Sequence, residues 1–182
     1  MLAPWQRQNG VGLIEIMVGL AIVALLFALG LPSFSTYVQN SRIRNAAESI
    51  QDGLQLARTE AVRLNTSVQF TLTSGSSWKV ECVDATVPGC ASVIQSRASA
   101  EGSSSAVTVT ASDGTPIIFN GLGRMTAPVP AGGASLTSIN VDLDPAVLPA
   151  AQSRDLRITI DIGGSVRMCD PNASSPDNAR AC

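Results

Sequence analysis

The sequence predicts an α+β protein: a long N-terminal hydrophobic helix packed on a globular domain built from antiparallel β-sheet. Three observations predict it. Residues 13–31 form an apolar run whose only charged residue is Glu15. Beyond Pro32, the residues Ile43, Ala47, Ile50, Leu54, Ala57, Ala61 and Leu64 recur at alternating spacings of four and three, the mark of one helical face. After Asn65 the apolar period falls to two, with glycine and proline between the runs.

Taken in order, residues 1–10 read as a polar leader, with Pro4 opposing a long helix and Arg7 supplying positive charge. Residues 11–38 form the apolar half of the helix, long enough for a bilayer core of about 30 Å. Pro32 removes a backbone donor and is expected to kink or loosen it. Residues 39–65 form the amphipathic half, with Arg44, Glu48, Gln51, Asp52, Gln55 and Arg58 away from the stripe. Residues 66–182 form a β-rich domain with expected strands at 66–73, 78–83, 92–96, 105–110, 116–120, 136–143, 154–162 and 166–169. Loops are expected at 97–105 and 126–135, and 170–182 is a polar tail.

Composition narrows the function. The 182 residues suit one modest domain plus an anchor, and a net charge of −2 argues against a generally basic nucleic-acid binder. Histidine is absent, which removes Ser-His-Asp and Cys-His catalysis. There is no P-loop string, so any ATPase that drives assembly is another protein. The chain reads as a non-enzyme with no cofactor. Cys82, Cys90, Cys169 and Cys182 lack both CxxC spacing and a histidine partner, so zinc is not expected. Four cysteines allow three pairings. All lie beyond the apolar span, and spacing favours Cys82–Cys90 and Cys169–Cys182 as disulfides of an oxidising compartment. Asp142 and Asp144 share a strand face that Asp161 could approach, but such surface carboxylates are ordinarily just solvated.

Glu15 is the residue that asks for an explanation. An ionisable group in an apolar span costs roughly 2.5–3.5 kcal/mol at a helix centre and marks a functional site by default. A secretory signal cleaved near Ala28-Leu29-Gly30 would be interrupted by Glu15 for no reason, and a plain anchor has no need of it. The string Gly10–Val11–Gly12–Leu13–Ile14–Glu15 resembles the type IV prepilin signal. The segments GVGLIEIMVGLAIVALLFALGLPSF (10–34), IQDGLQLARTEAVRLNTSVQF (50–70) and RITIDIGGSVRMCDP (157–171) together resemble the GspH/FimT/FimU branch of type IV minor pilins and pseudopilins.

That resemblance implies a type IV pilin fold and a structural role. A prepilin peptidase would cut after Gly10 and methylate the new terminus, Val11, in a chain where Val11-Gly12 replaces the usual Phe-Thr. Glu15 would meet the terminal amine of a neighbouring subunit, and a low dielectric strengthens such a pair. The implied partners are major and minor pilins or pseudopilins, an inner-membrane assembly platform and membrane lipid. The implied location is the bacterial inner membrane, crossed once, with the C-terminal domain in the periplasm and incorporation into a pilus. Three systems share the scaffold: pilus assembly or priming, type II secretion, and DNA uptake.

The DNA-uptake members carry Gly-Arg-x-Arg on the terminal hairpin. Here the matching residues are Gly164-Ser165-Val166-Arg167, so the first arginine is missing. Arg154, Arg157 and Arg180 lie nearby in sequence, nearly balanced by Asp155, Asp161, Asp170 and Asp177. A three-residue turn at Gly163-Gly164-Ser165 would pair Ile162 with Val166 and Ile160 with Met168, keeping one face apolar. It would also set Asp161 opposite Arg167. That ion pair is the first reading of Arg167, and a DNA phosphate contact is the second.

Overall fold

The computed structural model describes residues 10, 12–128, 136–173 and 178–182; the side chains of Leu29, Pro32 and Leu136 are not among those described. Residues 1–9 of the expected leader, Val11, residues 129–135 of the expected 126–135 loop and residues 174–177 of the tail therefore lie outside the described residues. Helix α1 runs Leu13–Leu64. The chain divides into two compact units, Met1–Tyr37 and Val38–Cys182.

In the first unit the large apolar side chains Leu13, Ile14, Leu20, Leu25, Leu26 and Phe27 are all exposed. In the second unit the stripe from Ile43 to Ala61 is fully buried, and Leu64 packs against its edge. The buried face is wider than its spacing predicts, because Ala46, Ser49 and Gly53 join it. A Cβ at Gly53 would stand 2.8 Å from the Phe70 ring and 3.0 Å from Trp78, so only bare backbone fits there. One turn away, the Trp78 indole N–H donates to Ser49 Oγ at 2.9 Å, which satisfies both buried polar groups.

The helix ends where Asn65 adopts the left-handed region at φ 48°. Its N–H donates to Val62 and that of Thr66 to Ala61, the paired bonds of a Schellman cap. Asparagine is one of the few side chains that tolerates this conformation.

Nine strands follow among the described residues: β1 Val68–Leu72, β2 Trp78–Cys82, β3 Gln95–Arg97, β4 Val107–Ala111, β5 Ile117–Phe119, β6 Met125–Ala127, β7 Leu136–Leu143, β8 Leu156–Asp161 and β9 Val166–Cys169. They form two sheets, ordered β3-β2-β1-β5-β6 and β4-β7-β8-β9, and every strand pair is antiparallel. Alternation is clean: Trp78, Val80 and Cys82 on β2 are buried, as are Ile158 and Ile160 on β8. These inward faces and the helix stripe make one core.

Two expected elements need correction, and one juxtaposition that the sequence left open does not form. Strand β6 falls at the start of the expected 126–135 loop and one residue before it; a register shift between Ile118 and Phe119 on β5 lets Met125–Ala127 pair there. Strand β3 occupies Gln95–Arg97 rather than 92–96. The three aspartates do not converge: Asp161 pairs with Leu136 at one end of β7, whereas Asp142 lies near the other end. No group of three or more metal-ligating side chains forms among the described residues.

Candidate assembly segment and terminal hairpin

Gly12 opens the helix, its carbonyl accepting the N–H groups of Glu15 at 3.1 Å and Ile16 at 3.3 Å. Glu15 sits in the first turn, where a carboxylate complements the positive end of the helix dipole. It is exposed and has no ion-pair partner among the described residues. Gly10 is exposed, and Val11 lies outside the described residues. No single helix among the described residues is by itself long and apolar enough to cross a membrane, although Leu13–Ala28 and Ser33–Leu64 meet that test together.

The terminal hairpin differs from its expected register. Ile160 pairs with Val166, Thr159 with Arg167, Ile158 with Met168 and Arg157 with Cys169. The turn is Ile162-Gly163-Gly164, one residue earlier than expected. The Asp161 N–H donates to Ser165 and the Gly164 N–H to Asp161 O, and the Asp161 carboxylate accepts the Ser165 N–H at 3.0 Å. Two forces select this turn. Asp161 closes it with its own side chain, and Gly164, at φ +82°, lies so close to the Gly123 carbonyl that no Cβ fits between them. Ile162, freed from the ladder, uses its carbonyl to accept the Met125 N–H of β6 at 3.1 Å. The turn thus joins the second sheet to the first. Arg58 on α1 completes the junction, donating from Nε to Gly123 O at 3.1 Å.

Asp161 and Arg167 are therefore not opposite one another. Arg167 Nη2 donates to the tail carbonyls of Ala179 at 3.0 Å and Ala181 at 3.1 Å. Arg157 donates from Nε to Asn140 Oδ1 at 2.7 Å. Arg154 contributes its backbone N–H, donated to Asn40 Oδ1 on α1, while Asn40 Nδ2 donates to Gln152 O. Arg180 contributes its carbonyl, which accepts the Asp170 N–H. The outward face of the second sheet is mixed in charge, because Asp142 and Asp155 share it with Arg157 and Arg167. Burial, and a hydrogen bond shared with Asp155, push the Asp142 carboxyl above its ordinary value. Burial opposes the charge on Asp155, but hydrogen bonds with Ser153, Asp142 and Asn172 outweigh it and hold that carboxyl low.

Both disulfides close local loops. Cys82, at the end of β2, is bonded to Cys90, with Cα atoms 6.0 Å apart. Cys169, at the end of β9, is bonded to Cys182, with Cα atoms 5.1 Å apart. The second bridge and Arg167 hold the same tail. The sequence alone does not single out Asn40, Arg58 or Gly123. The only local signal is the Gly121-Leu122-Gly123 string, a turn signature that does not name its partner.

A long N-terminal helix with an exposed apolar half, its other half laid on antiparallel sheet, defines the architecture of pilin-like subunits. The family described as type II transport protein GspH matches residues 46–174, and the prokaryotic N-terminal methylation motif matches residues 5–31. The chain belongs to the GspH family of minor pilins and pseudopilins. Its fold is similar to that of the type IV minor pilin FimU of Pseudomonas aeruginosa. One crystal form gives a TM-score of 0.55 at 14% identity, covering 77% of this chain and 97% of that one. A second form gives 0.52 at 14% identity, covering 73% and 97%. The minor pseudopilin EpsH of the Vibrio cholerae type 2 secretion system scores 0.49 at 13% identity, covering 72% and 99%. No curated protein matches the sequence.

Proposed function

We propose that this chain is a structural minor pilin that takes part in assembling or priming a type IV pilus at the inner membrane. The observation that carries the reading is the segment from Leu13 to Phe34, whose described large apolar side chains are exposed and whose single carboxylate is Glu15. Such a surface is stable only in lipid or against other apolar helices. Prepilin peptidase cuts between Gly10 and Val11, the new amine is methylated, and Glu15 pairs with the terminal amine of a neighbouring subunit. Residues 11–38 then serve as the single membrane span before assembly and as filament core after it. Residues 39–65 and 66–182 form the periplasmic part. The partners are major and minor pilins, the assembly platform, the peptidase and lipid.

The family description favours a second reading, a minor pseudopilin of type II secretion. Shearing surface filaments from cells expressing a tagged chain separates the two. The pilus reading expects the chain in the sheared fraction with an N-terminus at Val11 by mass spectrometry, and loss of pili on deletion. Normal piliation with loss of protein export on deletion would transfer the assignment to secretion. DNA binding gains no support from the hairpin, because Arg167 and Arg157 are engaged within the domain and aspartates share their face.

A further inference from the structure

The arginines of α1 are matched unequally. Arg44 reaches Glu48 at 2.7 Å and Arg63 reaches Glu60 at 2.6 Å, each about one turn away. Arg58 has Leu54, Gln55, Ala61 and Val62 at the corresponding positions, so its own helix offers it no carboxylate. Its Nε is held by the Gly123 carbonyl, and among the described residues the guanidinium forms no ion pair. The Asp161 carboxylate of the terminal hairpin accepts the Ser165 N–H instead.

Arg58 lines an open notch of about 260 Å³ between α1 and that hairpin, together with Gln55, Thr59, Ser165 and Val166. No acidic side chain lines it. The Gln55 amide and the Ser165 hydroxyl have no hydrogen-bond partner among the described residues; the helix uses only the Gln55 backbone carbonyl, and the turn only the Ser165 backbone. A guanidinium fixed at Nε keeps both Nη groups for a planar acceptor, which a carboxylate matches with two parallel hydrogen bonds. The rim is apolar. Leu122, 79% exposed, adjoins Gly123, and Val62, 51% exposed, comes within 3.1 Å of where a Gly123 Cβ would stand. Arg124, on the far side of Gly123, is exposed and likewise forms no ion pair.

We propose that the Arg58 notch is a docking site for an acidic side chain of a different pilin subunit, whose flanking apolar side chains cover Leu122 and Val62. The proposal rests on the reading of this chain as a filament subunit. The carboxylate takes the Nη groups and supplies from outside what Glu48 and Glu60 supply to Arg44 and Arg63. The Gly123 carbonyl orients the guanidinium before the partner arrives, which lowers the ordering cost of the contact. The exposed leucine and valine favour a polypeptide over a phosphate backbone, because covering them stabilises only a contact with apolar surface. A notch and a carboxylate are different surfaces, so pairing between copies of one chain would propagate without closing. That geometry suits a major subunit, and in a family of minor subunits the occupant is another chain.

The test uses the full-length tagged chain in cells, with Leu122 replaced by the photo-crosslinker p-benzoylphenylalanine. The expected result is a cross-link to a different pilin subunit, at a peptide containing Asp or Glu. Gln55→Glu then sets a carboxylate within one turn of Arg58, leaves the Arg58–Gly123 bond in place and fills the notch from within. The cross-link should fall several-fold, whereas Gln55→Ala, which adds no charge, should leave it within twofold. Replacing the partner's acidic residue by Lys should restore the link to the Gln55→Glu chain. Oxidised Cys82–Cys90 and Cys169–Cys182 pairs report folding. An undiminished link in the folded Gln55→Glu chain, or a link to a second copy alone, would overturn the proposal. So would duplex DNA retained by the parent and released by Gln55→Glu, which would assign the notch to phosphate. A chain present in sheared filaments that gives no cross-link would overturn the docking site alone; a chain missing from them would overturn the pilus reading with it.

Discussion

Leu26 and Leu54 belong to the same α-helix, yet 65% of the first is exposed and none of the second. The residue type and the secondary structure are the same. What differs is whether the chain supplies a partner. From Val38 onward the helix meets Phe70, Trp78 and the inward strands, and each leucine-sized side chain it buries contributes about 1.5–3 kcal/mol. Before that point the side chains have the same free energy to gain and nothing in their own chain to gain it from. One half of the helix is finished by folding; the other is finished by its surroundings.

The sharpest way to break that contrast is Glu15→Ala. Leaving a neighbour's amine unpaired among apolar helices costs on the order of 3–5 kcal/mol, so incorporation into filaments should fall at least a hundredfold. The Val38–Cys182 unit should keep its thermal midpoint. Unchanged incorporation would end the amine-pairing role. Next come two matched truncations. Ile50→Ala should destabilise the domain by about 2–5 kcal/mol, because Ile50 is wholly buried and leaves a cavity. Leu26→Ala should leave domain stability unchanged by denaturant titration, and equal losses from both would erase the distinction between the two halves.

Replacing Cys169 and Cys182 together by serine should cost roughly 2–3 kcal/mol by the chain-entropy account. Faster amide exchange should then begin at Asp170, whose N–H donates into the tail. The smallest effect belongs to Asp142→Asn. A carboxyl raised on folding keeps its proton where the unfolded chain has released it, so its stabilising share is present at acid pH and lost as pH rises through the raised value. Asp155, held low, acts in the opposite sense. Asp142→Asn should therefore raise stability at neutral pH and leave it unchanged well below the ordinary carboxylate range. The gain should stay under about 1 kcal/mol, because the pair is only partly buried and solvent still screens it. A loss at neutral pH would reverse the assigned direction.

The helix stripe is legible in the sequence because a single period of burial governs it, and the parity of the last hairpin is legible because one face has to remain apolar. The turn itself is not, because Asp161 competes for it with its own side chain and the Gly123 backbone excludes any residue but glycine at position 164. Strand β6 has too little sequence to signal itself, and its hydrogen bonds come from β5 and from Ile162, the latter distant in the chain. Local pattern sets Arg167 against Asp161; its actual partners are in the tail, which no periodicity could place beside it. Gly53 and Ser49 look like weak points in a helix until Trp78 stands opposite them.

Asn40 has a consequence in mechanics. It lies just past the point where the folded unit begins at Val38, and its amide grips the chain at Gln152 and Arg154 with two hydrogen bonds of 3.0 and 2.8 Å. Any tension on the apolar segment, as when a subunit is drawn out of a bilayer, enters the domain there. The two bonds share that load across more than a hundred residues of sequence, so the first turn of the folded unit cannot peel without dragging the 152–154 loop with it. Pulling a single molecule by its N-terminal end should show Asn40→Ala yielding at lower force than the parent, with little change in thermal midpoint, because a latch matters most in the direction in which it is pulled.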